Sequence, residues 1–137
     1  YQVDHFWDFE NKGFFFTSDI GEKLIVRNKE IYDGAIPSGN SVSAYNFIRL
    51  GRILSRYDYE EMSMDIISAF ASRLNRYSSG STMLLHAVNF IEGPSFEVIV
   101  KGDHEKSKAI LKEIQQHIQP NIPHNNPNIL KHEIENY

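Results

Sequence analysis

The side chains with the most chemical potential lie in one segment of the sequence, from Lys29 to Ser41. This segment holds an ammonium group, two carboxylates, a phenol and an amide, and it ends at a predicted helix start, where free backbone amides attract polar or anionic groups. Such a combination is typical of the polar rim of a binding pocket. We therefore predict two catalytic acid or base residues, Glu30 and Asp33, and six substrate-binding residues: Phe16, Lys29, Tyr32, Ser38, Gly39 and Asn40.

The same residue types have a purely structural interpretation. Asp33-Gly34 is a common turn dipeptide, Pro37 would stiffen the turn, and Ser38 or Asn40 could cap the helix that follows. In that case Lys29 and Glu30 are solvated surface charges. The sequence leaves both interpretations open.

Other kinds of site have weaker support. Three more carboxylates, Asp8, Glu10 and Asp19, lie in predicted loops, but only Glu30 and Asp33 belong to the dense segment. The residues from Gly34 to Ser41 have the spacing of a phosphate-binding loop with Asn40 in place of the lysine, so we do not expect nucleotide binding.

The histidines show no ligand spacing, and we expect no metal and no cofactor. They are His5, His86, His104, His117, His124 and His132. We expect His86, on a predicted helix, to be a hydrogen-bonded core residue.

Composition excludes several classes of protein. The net charge of −4 gives no basic surplus for nucleic acid, and the absence of cysteine excludes disulfides, thiolate zinc sites and cysteine nucleophiles. No apolar run approaches the roughly 20 residues of a membrane span. We expect a cytoplasmic protein without nucleic-acid or membrane partners.

The elements that must position these side chains are mainly helical. Residues 1–37 predict an N-terminal β-hairpin and loops, with short apolar runs at 14–16 and 24–26. Residues 38–93 predict three helices: one starting between Ser38 and Ser41, a second over 59–77, and a third after residues 78–81 that ends at Gly93-Pro94. A buried stripe of Phe47, Leu50, Gly51 and Leu54 is predicted on the first helix. The first two helices should form an antiparallel hairpin.

The spacing of apolar residues changes after Pro94 from a helical to a strand-like pattern. Residues 96–100 predict a strand, and a helix with Ile110, Leu111, Ile114 and Ile118 on one side should follow. A short strand at Asn121-Ile122 would complete a strand-helix-strand unit over 94–124. Residues 125–137 form a tail, in which Ile129 to Tyr137 could be a frayed last helix. The fold class is thus mainly α with minor β, in a single domain of 137 residues.

Two motifs carry a resemblance to a known family. The run from Gly13 to Thr17, followed by Lys29-Glu30-x-Tyr32-Asp33-Gly34-Ala35-x-Pro37-Ser38-Gly39-Asn40-Ser41, resembles the C-terminal part of the YyaL-type thioredoxin-domain-containing family, the spermatogenesis-associated protein family. The resemblance covers about Trp7 to Pro120. It implies that the chain is a C-terminal fragment of a longer protein, with a thioredoxin-like domain followed by an α/α toroid of helical hairpins similar to N-acylglucosamine 2-epimerase and the six-hairpin glycosidases.

The resemblance also suggests where a ligand would bind. Gly13, Phe15 or Phe16, Asp19 and Lys29 are similar to a loop at the mouth of the epimerase barrel, with Lys12 standing where the family prefers a second glycine. Because a positive φ is unfavourable for lysine, we expect the turn at Lys12 to be tighter or rotated.

Two functions are compatible with these observations. In the first, the parent protein binds or transforms a carbohydrate-like small molecule in the toroid cavity. In the second, the segment is non-catalytic, and the activity lies in the thioredoxin-like part. The expected partners are a carbohydrate, the remainder of the parent chain, and a second copy bound through an exposed apolar face.

Overall fold

The chain folds into two compact units, Tyr1–Glu92 and Gly93–Tyr137, in the computed structural model, which describes residues 1–93, 97–100, 104–117 and 129–131. The first unit contains helices α1 (Gln2–Phe6), α2 (Gly39–Leu54), α3 (Tyr57–Arg76) and α4 (Thr82–Glu92), with a 3₁₀ turn at Ser78–Gly80. The second contains strand β1 (Glu97–Ile99), helix α5 (His104–His117) and strand β2 (Ile129–Lys131). No helix in these described ranges is long and apolar enough to cross a membrane.

Helix α2 begins where the capping residues predict. Ser38 is its N-cap, and the Ser38 hydroxyl accepts a hydrogen bond from the Ser41 N–H at 3.1 Å. The helix ends at Ser55, whose left-handed backbone (φ 53°) turns the chain into α3 after two residues. Helices α2 and α3 run antiparallel, since the Ser63 hydroxyl donates to the Ala44 carbonyl at 2.8 Å while Gly51 lies against Glu60.

The core of the first unit is formed where α2 packs against both α3 and α4. Its buried apolar residues come from all three helices and from the segments before them: Trp7, Phe14, Ile31, Ala44, Phe47, Ile66, Phe70, Leu74, Leu84 and Ala87. Phe14 stacks on Phe47 with a ring-centroid distance of 5.9 Å, which anchors the N-terminal segment to α2.

The predicted stripe on α2 is wrong at two positions. Leu50 and Leu54 are 42% and 56% exposed, whereas Phe47, Ile48 and Gly51 are buried. Because α2 contacts two helices rather than one, its buried face is turned toward Ile48. His86, predicted as a core histidine, is exposed on α4.

The predicted N-terminal β-hairpin is absent. Residues 7–38, all of which the structure describes, form only an isolated antiparallel bridge between Trp7 and Phe14. The bonds of this bridge run from the Asp8 N–H to the Gly13 carbonyl and from the Phe15 N–H to the Phe6 carbonyl. On the side away from Trp7, the Asn40 side chain of α2 bonds both the N–H and the carbonyl of Phe14, in the place where a further strand would pair. The second apolar run is exposed, with Ile25 fully so.

In the second unit, β1 lies within the predicted strand at 96–100 and α5 follows it. The partner of β1 is β2, which pairs with it in parallel with Val98 opposite Leu130. Residues 129–131 therefore form a strand rather than part of the predicted frayed helix. The predicted strand at 121–122 lies outside the described residues.

Candidate functional site

The segment from Lys29 to Ser41 joins three parts of the first unit: the turn at residues 8–13, the start of α2 and the start of α4. It has no helix or strand before Gly39. Its polar side chains divide into those bonded within the protein and those directed to solvent.

Lys29 forms a largely buried ion pair. Its Nζ lies 2.8 Å from Asp8 Oδ2 and 2.6 Å from the Lys12 carbonyl, and the two side chains are 18% and 9% exposed. The same ammonium group lies 5.4 Å from the centre of the Phe15 ring. Lys29 is thus held between the turn and an aromatic face.

Asp8 organises the turn that receives Lys29. Burial alone would raise the pKa of Asp8, but hydrogen bonds from the Asn11 N–H, from Lys29 Nζ and from the Glu10 N–H lower this pKa to about 2. Both backbone hydrogen bonds are 3.0 Å long. The carboxylate of Asp8 is therefore ionised throughout the neutral range.

The expectation of a rotated turn at Lys12 is wrong. Lys12 adopts a left-handed backbone with φ 60°, and Gly13 follows with φ 78°. A side chain at Gly13 would meet Phe70 Cε2 at 3.0 Å and Asn40 Oδ1 at 3.2 Å, so the glycine is required both by conformation and by close packing.

Asn40 is buried and bonds only to backbone. Its Oδ1 accepts from the Phe14 N–H at 2.6 Å, and its Nδ2 donates to the carbonyls of Phe14 and Glu30 at 2.9 and 2.8 Å. The side chain thereby links the first turn of α2 to two loop segments.

Asp33 bonds to backbone amides on two sides. Its Oδ1 accepts from the Ser38 N–H at 2.8 Å, while Oδ2 accepts from the N–H groups of Met83 and Leu84 at 2.8 and 3.3 Å. Asp33 consequently closes its own loop and caps the start of α4, where a negative charge is favourable.

Two hollows flank the segment, and Phe16 and Glu30 line both. The first encloses about 340 Å³ and is lined by Gln2, Phe6, Phe14, Phe15, Phe16, Glu30, Gly39 and Asn40. The second encloses about 320 Å³ and is lined by Phe16, Asn28, Lys29, Glu30 and Arg73. Each volume lies in the range of small-ligand pockets.

Glu30 and Phe16 are the two predicted site residues that face open space at the hollows. Phe16 is 74% exposed, and the Glu30 carboxylate forms no hydrogen bond or ion pair among the described residues. Tyr32 is 51% exposed but lines neither hollow, because its ring lies over Gly34 and Gly80. Glu30, Phe16, Gly39, Asn40 and Lys29 are thus brought together at the hollows, and Tyr32, Asp33 and Ser38 are not.

Sequence reasoning missed two residues of this region. Asp8 is followed by Phe-Glu-Asn-Lys-Gly, and this Asx-turn pattern could have marked Asp8 as a turn-organising carboxylate. Arg73 is one polar residue on the solvent face of a long helix, and nothing in the sequence distinguishes it. In the described part of the chain, no group of three His, Asp or Glu residues could hold a metal ion.

Comparison with known proteins gives matches over most of the chain. It is 29% identical over 119 residues to spermatogenesis-associated protein 20 of human and of rat, a match that covers 85% of this chain and 15% of each relative. It is also 33% identical over 70 residues to the uncharacterised protein B0495.5 of Caenorhabditis elegans, covering 51% of this chain and 9% of the relative. No family profile matches the chain, and no solved structure matches it.

These matches agree with the family resemblance seen in the motifs. The match lies in the C-terminal region of spermatogenesis-associated protein 20, a member of a thioredoxin-domain protein family. The chain spans about 15% of the length of these relatives. Over its first 93 residues and α5 it is mainly helical, and it is similar to one segment of a much longer protein.

Proposed function

We propose that this chain forms part of the wall of a binding site for a carbohydrate-like small molecule, in a longer cytoplasmic parent protein whose hairpins form an α/α toroid. The observation that supports the proposal is the pairing of an unbonded carboxylate, Glu30, with an exposed aromatic ring, Phe16, on the common wall of two hollows.

This pairing suits a ring that carries hydroxyl groups. An exposed aromatic face can stack on the apolar C–H face of a sugar, and an ionised carboxylate can accept hydrogen bonds from two neighbouring hydroxyls. Gly39, the first residue of α2, lines the first hollow, and its N–H belongs to a helix terminus that attracts electronegative groups.

The proposed roles differ between the two predicted catalytic residues. Glu30 is free to exchange a proton with a ligand and is our candidate for the acid or base. Asp33 already accepts three backbone hydrogen bonds, so its role in the proposal is to position the segment. Lys29, paired with Asp8, and Asn40, bonded to the Glu30 carbonyl, hold the backbone at Glu30 in place.

A second candidate function is a non-catalytic one, in which the segment only joins the loop to the helices. The bonding of Asp33 and Asn40 to backbone groups favours it, because their side chains act as internal connectors. Under this alternative, the activity of the parent protein lies in its thioredoxin-like part.

Binding and melting measurements on matched variants separate the two functions. We expect Glu30→Gln to weaken the binding of sugars about tenfold, measured by calorimetric titration of the full-length parent protein, with an unchanged melting temperature, since the Glu30 side chain bonds to nothing among the described residues. Asp33→Asn should lower the melting temperature. Glu22→Gln, which alters an exposed loop carboxylate away from both hollows, is the control.

The non-catalytic function is supported if no sugar binds, or if Glu30→Gln binds as well as the unmodified chain. A Glu30→Gln variant that loses stability to the same degree as Asp33→Asn would also count against a ligand-facing role for Glu30.

A further inference from the structure

The second hollow contains an unpaired cation that the proposed function does not use. Arg73 lies in the last turn of α3 and is exposed, and its guanidinium forms no ion pair or hydrogen bond among the described residues. It lines the hollow together with Phe16, Asn28, Lys29 and Glu30.

Two lysines of this region already have carboxylate partners. Lys29 is paired with Asp8 at 2.8 Å, and Lys12 with Asp65 at 3.2 Å. Arg73 and Glu30 are not paired with each other, which places their charged groups more than 4.0 Å apart. The hollow therefore has one free positive group and one free negative group on its lining.

We propose that the ligand of this site is an acidic sugar, with a carboxylate or phosphate group bound by Arg73 and hydroxyl groups bound by Glu30. This inference rests on the proposed function and adds the charge of the ligand and its orientation in the second hollow.

The two free charges fix that orientation. The planar guanidinium of arginine binds a carboxylate or a phosphate through two parallel hydrogen bonds, which a neutral hydroxyl cannot reproduce. Glu30 repels an anionic group and accepts hydrogen bonds from hydroxyls, so it binds the uncharged end of the ligand. Asn28, also on the lining, offers both a donor and an acceptor.

The size of the hollow is consistent with such a ligand. A volume of about 320 Å³ is at the lower end of the range for small-molecule sites, which fits one sugar ring with one acidic substituent. Phe16 would stack on the ring between the two charged ends.

The test compares sugars that share a ring and differ in one group. The full-length parent protein is titrated calorimetrically with D-glucose, D-glucuronate and D-glucose 6-phosphate, and with D-galactose and D-galacturonate. We expect at least one acidic member to bind about tenfold more tightly than its neutral counterpart at low salt. The preference should fall as salt is raised, because the Arg73 site is exposed and screened. Glucuronate and the 6-phosphate distinguish a carboxylate from a phosphate ligand.

Variants on one helix provide the control. Arg73→Gln should reduce the preference for the acidic sugar to less than twofold and leave neutral-sugar binding and the melting temperature unchanged. Arg76→Gln, at an exposed arginine three residues further along α3 and outside the lining of the hollow, should keep the full preference.

The outcomes distinguish this inference from the proposed function. If neutral and acidic sugars bind equally, or if Arg73→Gln keeps the preference, the acidic ligand is rejected and the proposed function stands. If no sugar in the series binds, the proposed function is rejected and this inference with it.

Discussion

Asn40 shows how one buried side chain can replace a strand. It satisfies the N–H and carbonyl of Phe14 and the carbonyl of Glu30, which in a hairpin would bond to neighbouring backbone. Asn40 therefore occupies the backbone groups of Phe14 that a further strand would use, and it stabilises the loop instead.

Replacing Asn40 should lower the stability of the fold. We expect Asn40→Ala to lower the free energy of unfolding by about 2–4 kcal/mol, because two buried backbone groups of Phe14 and the partly buried carbonyl of Glu30 lose their partner. Urea denaturation measures the effect, and Asn46→Ala, at an exposed asparagine of the same helix, is the control. A loss below about 1 kcal/mol for Asn40→Ala would show that water replaces the amide without penalty.

Lys12 carries a conformational cost that glycine would remove. Its φ of 60° disfavours any residue with a Cβ, and the compensating pair with Asp65 is partly exposed. We expect Lys12→Gly to be about 1 kcal/mol more stable than Lys12→Ala, since both lose the ion pair and only glycine relaxes the backbone. Equal thermal stability of the two variants would contradict this account.

At the scale of elements, the contact between α2 and α3 depends on the absence of a side chain at Gly51. A Cβ at this position would lie 2.6 Å from Glu60 Cγ and 3.0 Å from the Arg56 carbonyl. The backbone of the α2–α3 connection thus passes directly over α2.

Two effects of a methyl group compete at Gly51. Helix propensity favours alanine over glycine by about 1 kcal/mol, but the clash with the Arg56 backbone opposes it. We expect the clash to be larger, so Gly51→Ala should lower the melting temperature. Gly39→Ala, where a Cβ would meet nothing within 4 Å, should leave it unchanged or raise it. A higher melting temperature for Gly51→Ala would mean that the α2–α3 connection can shift away from the added methyl group without a loss of stability.

The helices were predictable from the sequence because their signals are local. Ser38 as N-cap and the Gly93-Pro94 stop mark the ends of a helical region by side-chain chemistry within a few residues. The structure of residues 7–37 was not predictable in this way, since it depends on Asn40, distant in sequence, bonding to the Phe14 backbone. The exposed Leu50 and Leu54 reflect a similar limit, because periodicity does not specify how many helices α2 will contact.

In the candidate site, too, some features follow from local sequence and others depend on distant contacts. Residue types identified the Lys29–Ser41 segment, but they could not separate Asp33, which bonds to three amides, from Glu30, which bonds to none. That distinction depends on where the start of α4 lies, some 50 residues away. Arg73 reaches the second hollow only through the packing of α3.

At the scale of the whole molecule, acid should destabilise the first unit through Asp8. The folded pKa of Asp8, about 2, lies below the unfolded value of about 3.9, so its ionisation stabilises the fold above pH 4. This contribution, on the order of 2 kcal/mol, is lost as the pH falls from about 5 toward 2.

The measurement is the free energy of unfolding as a function of pH. Asp8→Asn should be less stable at pH 7 and should show a shallower decline between pH 5 and pH 2. An unchanged slope in Asp8→Asn would assign the acid sensitivity to other carboxylates.

The long-range cap on α4 has a kinetic consequence. The amides of Met83 and Leu84 are bonded to a carboxylate 50 and 51 residues earlier in the chain, so α4 can form its turns before its first amides are protected. The hydrogen exchange of these two amides should become slow only when the segment around Asp33 docks against the start of α4. Their exchange therefore reports the docking of the Asp33 segment separately from the formation of the helices themselves.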